Sequence, residues 1–333
     1  MNSVITFKHK NNMSKLKIIL AAVIFMSPII NYGQHTDQIN SNRPGETMSA
    51  FAVGKSVIQV ETGVYGIKEN HRLLEYDATG FGLDLTLRYG ALLEKLELIA
   101  DLQYQNENFT TSYSTTKKSA LKQIVLGAKY LIYDPFKNYE KNINIYSWKA
   151  NHSFNWHQLI PAVSLFAGAN FTMKDNPYYF SPYASISPKA MLITQNHLGD
   201  GTWVFVTNII ADYIATDYPS YGYVLTLTKG FNDKWSGFVE NQGFKSDFYS
   251  DAILRGGAAY LLNKDMQIDA SLSTNFKDTP TVLYGGIGFS WRYDANYKEV
   301  RISIDSGDNS KSKAEKKVEK KNKKRKDEIE STQ

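Results

Sequence analysis

Residues 266–276 read MQIDASLSTNF. Met266, Ile268, Ala270, Leu272, Thr274 and Phe276 alternate with Gln267, Asp269, Ser271, Ser273 and Asn275. Successive side chains of a strand point to opposite faces, so this is a strand with one dry and one wet side. In a soluble sandwich the dry side meets a core and the wet side meets bulk water. In a membrane barrel the dry side meets lipid and the wet side meets a lumen. The rest of the chain has to choose between the two.

The same pattern recurs from Val57 onward in segments of roughly ten residues separated by turn residues, the length a tilted spanning strand needs. It predicts about twelve strands, near 57–66, 79–90, 94–104, 120–132, 159–171, 181–194, 202–212, 221–230, 234–244, 251–262, 265–276 and 281–293. Within 79–90, Phe81, Leu83, Leu85, Leu87 and Tyr89 share one face, with Asp84, Thr86 and Arg88 on the other. Only TWVFVTNIIAD (202–212) is apolar on both sides. An even count, with short connections at 90–93, 231–233 and 263–264 alternating with longer ones at 67–78, 105–119, 172–180, 213–220 and 245–250, fits an up-and-down barrel better than a Greek-key sandwich. The stretch 133–158 is a long excursion on the short-turn side. The expected fold is therefore all-β: a membrane-spanning, antiparallel, up-and-down β-barrel of about twelve strands over 57–293, with a disordered basic C-terminal tail.

The flanks support that reading. Lys15 and Lys17 precede an apolar run over 18–30 and small or polar residues at Gly33 and Gln34, the pattern of a secretory signal peptide over 1–34. No other segment holds the roughly 18 apolar residues a spanning helix requires. The net charge of +5 misleads, because the leader and the Lys-rich stretch 311–330 carry the excess base and leave the body mildly acidic. The absence of cysteine excludes disulfides, Cys-type zinc sites and a cysteine nucleophile. Residues 35–56 have no sustained period and read as an extended segment, a candidate plug. Residues 294–333 are too charged to build a core and read as a periplasmic tail.

Alternation puts Glu61, Asp84, Arg88, Glu97, Asp101, Lys129, Lys189, Glu240, Arg255, Asp269 and Arg292 on the wet face. A lipid-facing Lys or Arg near the midplane costs about 2–4 kcal/mol, so in a barrel these charges must point inward. There they either pair to stiffen the barrel or line a solute path. With Arg43 from the preceding segment, they are the candidate lumen residues. Tyr89, Tyr104, Tyr130, Trp203, Tyr223, Trp235, Tyr260, Trp291 and Tyr293 sit where interfacial girdles would lie. The histidines (His9, His35, His71, His152, His157, His197) fall outside the predicted strands and suggest no catalytic pair, and no metal or cofactor set is expected. A basic tail could attract nucleic acid, but secretion argues against that partner. Outer-membrane lipid is the expected surroundings, and the 311–330 tail is a candidate contact for the cell wall or a periplasmic protein.

The stretch NRPGETMSAFAVGKSVIQVETGVYG (42–66) resembles the N-terminal signature of the outer-membrane transporter family labelled "MetA-pathway of phenol degradation". Arg43, Pro44, Gln59, Glu61 and Gly63 match it, while Asn42 stands where the family usually has Asp. SGFVENQGF (236–244) is similar to its Phe-x-Glu strand through Glu240, and 254–276 with 285–293 resemble its closing strands. The resemblance implies passive outer-membrane uptake of a small solute, hydrophobic or aromatic. A closed structural barrel working through its tail, and an outer-membrane lipid hydrolase, are the alternatives.

Overall fold

Burial in this chain is inverted. Among the described residues the large side chains with least exposure include Arg88, Lys129, Gln59, Glu61, Glu97 and Glu240, while Leu83, Leu87, Leu98, Leu126, Ile209, Val239, Leu272 and Ile287 are exposed. Only a sheet closed on itself with a polar interior and an apolar exterior does this. The computed structural model describes residues 39–137, 139, 146, 147, 155–179, 184–198 and 201–294. The leader, residues 35–38, and the tail beyond Asp294 with its basic stretch 311–330 lie outside them.

Twelve antiparallel strands form one closed barrel, each bonded to its sequence neighbours and β12 returning to β1. They are β1 (Val57–His71), β2 (Tyr76–Gly90), β3 (Leu96–Thr111), β4 (Thr115–Tyr133), β5 (Ala162–Phe171), β6 (Ile186–Leu198), β7 (Trp203–Asp212), β8 (Ser220–Gly230), β9 (Trp235–Lys245), β10 (Ser250–Asn263), β11 (Met266–Asn275) and β12 (Thr281–Asp294). A short 3₁₀ turn, Trp156–Leu159, precedes β5. Closure removes the sheet edges, so no backbone donor has to face lipid. In β11, Ile268 and Leu272 lie outside and Asp269, Ser273 and Asn275 inside. The dry side of MQIDASLSTNF is thus the outer surface.

The rim that carries Val57 and Asp294 is called proximal here, the other distal. Tyr89, Tyr130, Trp203, Trp235, Trp291 and Tyr293 are exposed at proximal strand ends, as a girdle requires. At the distal rim the connections differ from expectation. The long loops predicted at 67–78 and 105–119 are mostly strand, and turns occupy only 72–75 and 112–114. The reason lies outside the barrel. Past Phe81 and Tyr104 the outward residues become polar, Asn108, Lys117 and Ser119 among them, and exposed. The β1–β2 and β3–β4 hairpins climb out of the apolar band into water, where alternation of polarity ceases but the ladder continues. A β-bulge at Lys122 keeps the inward set aligned past Gln103.

β7 resolves its own ambiguity. Val206 and Asn208 are buried inside while Trp203 and Ile209 are exposed outside. The inner residues join an apolar cluster of Ile99, Val125, Leu131, Phe166, Met191, Ile193 and Val206 that receives Ala50 and Phe51 from the N-terminal segment. Both faces of β7 are apolar because one meets lipid and the other meets this segment.

Candidate functional site

Residues 39–56 lie inside the barrel. The chain enters at the proximal rim, where Ile39 N–H bonds Lys264 O in the β10–β11 turn at 2.8 Å. It dips to Arg43–Glu46 at mid-barrel and returns to the same rim. Gly54, at φ +95°, makes the last turn, and its carbonyl lies so close to Gly90 that a side chain there would overlap it. Ser56 N–H then bonds Gly90 O at 2.8 Å and β1 begins.

A segment without regular structure leaves its backbone groups to be satisfied by something else, and inside a barrel that must be the wall. Inward side chains of most strands do this. Gln59 and Arg88 donate to Asn40 O (3.1 and 2.8 Å). The Glu61 carboxylate accepts Asn42 N–H at 3.2 Å, and that of Glu240 accepts Glu46 N–H at 3.1 Å. Asn208 bonds both backbone groups of Met48 (2.7 and 2.9 Å). Gln195 and Ser164 hold Ala50 (3.0 and 2.6 Å). Lys129 donates to Ser49 O and Phe51 O (2.8 and 3.0 Å). The segment is a strap across the lumen.

The candidate charges face inward and fall into groups. Glu61, Arg88, Glu97 and Lys129 form a chain along β1–β4. Arg88 pairs with Glu61 at 2.9 Å and with Glu97, and Lys129 reaches Glu97 at 2.9 Å. All four are buried, so each charge is compensated by an opposite one, as a dry interior demands. On the far wall Arg255 pairs with Glu240 and reaches Glu46 of the strap at 3.6 Å. Thr47 and Thr226 hydroxyls donate to the same Glu240 oxygen (2.7 and 2.8 Å). Arg43 lies between Asp84 at 3.5 Å and Asp269 at 3.4 Å. Among the described residues Asp101 has no ion-pair partner and is held by Thr86 and Gln123 (3.1 and 3.0 Å). Lys189 pairs with Asp212 at 3.1 Å. Arg292 is buried on β12, near the proximal end.

Two cavities flank the strap. The first, about 610 Å³, lies toward the proximal rim. Its lining includes Phe51, His197, Val204, Val206 and Phe238, so it is largely apolar. The second, about 440 Å³, lies from mid-barrel toward the distal rim and is lined by Glu46, Glu61, Asp84, Asp101, Lys122 and Arg255 among others. Asn42–Gly45 lines both and forms the partition. Alternation finds the charges of the second chamber but not the apolar first one, whose wall on β6–β11 is completed by strap residues such as Ile39, Pro44 and Phe51. His197, read as a turn residue, is on β6 against Phe51, with ring centroids 5.6 Å apart, and bonds Gln195 at 2.8 Å. His71 ends β1. Among the described residues no three His, Asp or Glu are grouped to hold a metal.

The sequence profile of the family described as "Putative MetA-pathway of phenol degradation" matches residues 41–293. The chain belongs to this family. Its signature positions now have a common place, since Gln59 and Glu61 bond the strap, Arg43 rests over Gly63, and Glu240 receives the strap's tip. Asn42, in place of the usual Asp, accepts Ser49 N–H at 3.0 Å through Oδ1, a role an Asp oxygen would also fill. Among solved structures, the chain is similar to an outer membrane channel from Pseudomonas putida F1 (11% identity, 77% of this chain and 100% of that one, TM-score 0.49). It is also similar to the translocator domain of the autotransporter NalP from Neisseria meningitidis (9% identity, 72% and 89%, TM-score 0.45). A third similar structure is the CymD monoaromatic hydrocarbon channel (10% identity, 73% and 90%, TM-score 0.39). No curated protein matches the chain.

Proposed function

We propose that the protein is a passive outer-membrane channel for a small solute, with the strap as the movable part of its path. The observation that carries this is the pair of lumen cavities that share Asn42–Gly45 as lining. A barrel filled for stiffness alone would close such spaces with side chains. The route runs from the distal chamber, past Arg43, into the proximal chamber. Glu61, Asp84, Asp101 and Arg255 line the distal chamber, and Glu240 and Asp269 stand beside the route, against Glu46 and Arg43 of the strap. Arg88, Glu97, Lys129 and Arg292 support the wall and the strap beside it. The distal rim faces outward and the proximal rim, with Val57 and Asp294, faces the periplasm.

Two features bear on the solute. Acids outnumber bases around the distal chamber, which favours cations over anions. The proximal chamber offers aromatic and aliphatic side chains that suit a ring or short apolar group, in keeping with the phenol-related name of the family. The solute is thus small, partly apolar and neutral or cationic. Reversal potentials across a planar bilayer in asymmetric KCl test the path. Cation preference is expected, and Asp101→Asn reduces it; a preference unmoved by that change would place the conducting path elsewhere.

A further inference from the structure

Two arginines of the lumen stand in opposite circumstances, Arg88 fully buried and Arg43 partly so. Arg88 is saturated: it donates to Glu61, both oxygens of Glu97 and Asn40 O. Arg43 is not. Its guanidinium stands 3.4–3.5 Å from two carboxylates, beyond the ~2.7–2.9 Å of a charge-assisted hydrogen bond. Among the described residues its Nε and both oxygens of Asp269 make no hydrogen bond, although Asp269 is buried. Arg43 is held by charge and shape, and its hydrogen-bonding capacity there is largely unused.

The slot around it is built into the register. Asp84 on β2 pairs with Gly63 on β1, Gly63 with Gly288 on β12, and Gly288 with Asp269 on β11. One row across four adjacent strands therefore reads Asp–Gly–Gly–Asp, all facing inward. The two glycines make a flat floor, and a Cβ at either would overlap the guanidinium. The two acids stand at its ends, matched to a planar cation lying on the floor. Asp84 is fixed by Gln103 at 2.9 Å, and the distal chamber opens onto it.

We propose that this Asp84–Gly63–Gly288–Asp269 row is a binding subsite for a guanidinium group of the solute, and that Arg43 occupies it as a tethered stand-in. The proposal deepens the channel reading and rests on it for the solute's passage. When the strap shifts, Arg43 leaves, and an incoming guanidinium takes its place with closer, hydrogen-bonded contacts to Asp84 and Asp269. The row would then select planar cations over ammonium ions of similar size, because only a flat group fits between the acids on a floor without side chains.

The test uses the full-length barrel with Arg43→Ala, and Arg43→Gln should the first variant refold poorly. Calorimetric titration with L-argininamide, and with L-lysinamide as the non-planar control, reads the site independently of transport. Binding of argininamide to the variants is expected, at least about tenfold weaker for lysinamide and for the same barrel carrying Asp84→Asn and Asp269→Asn. Wild type, with Arg43 in place, binds more weakly than Arg43→Ala. In a planar bilayer, argininamide should block current through Arg43→Ala and not through the version lacking both acids. Equal binding of the two amides, or binding indifferent to the Asp changes, overturns the proposal. Selective binding in a barrel that never conducts leaves the subsite standing and removes the channel; conductance without selective binding does the reverse.

Discussion

Lys129 shows what a single charge must do in this interior. Its ammonium is fully buried, pairs with Glu97 and caps two strap carbonyls. Glu97 also carries Arg88, so its loss leaves Lys129 without an ion-pair partner and Arg88 with Glu61 alone. Glu97→Ala is expected to cost about 3–5 kcal/mol of stability, the penalty of leaving a buried charge unpaired. The urea midpoint for unfolding from lipid vesicles would show it, and a change below 1 kcal/mol would mean that water reaches the group. Period two places Glu61, Arg88, Glu97 and Lys129 on the inner face from sequence alone. It does not say which acid meets which base, because that depends on register across β1–β4. The strap's bonding was hidden for another reason: the wall side chains bind its backbone, which leaves no periodic mark on residues 39–56. What the sequence offers there is the clustering of signature positions, Arg43, Gln59, Glu61 and Gly63, which converge in space.

The strands could be read because lipid outside and water inside impose polarity on alternate residues. Where a strand leaves lipid, that constraint ends and the reading ends with it. This is why β3 reads as stopping near Tyr104 yet continues to Thr111. The two halves of β3 should respond differently to charge. Leu98→Arg, within the band, is expected to cost about 2–4 kcal/mol, and Asn108→Arg, above it, no more than about 1 kcal/mol. Folding titrations into vesicles measure both, and equal costs would mean that the band boundary is misplaced. The hairpin tip gives a matching test. Tyr113 is 98% exposed and the chain has no cysteine, so Tyr113→Cys is a unique label site. A membrane-impermeant maleimide should reach it on intact cells; labelling only after the outer membrane is broken would reverse the assigned orientation.

At the scale of the whole molecule, an even number of strands brings both ends of the barrel to one rim, and the strap fills the lumen from that rim. The barrel is fixed by closure, while the strap is held by hydrogen bonds of about 1 kcal/mol net each together with an apolar contact around Phe51. The two parts can therefore differ in mobility, and the proposed transport rests on that difference. The most direct measurement is conductance with the strap locked. Thr47 on the strap and Thr226 on β8 touch through their hydroxyls, so Thr47→Cys with Thr226→Cys can form a disulfide across the contact. In a planar bilayer the oxidised protein should be silent, and reductant should restore discrete, cation-preferring steps like those of wild type. Equal conductance in both redox states would contradict a moving strap, and silence in both, with wild type silent too, would mean a filled, structural barrel.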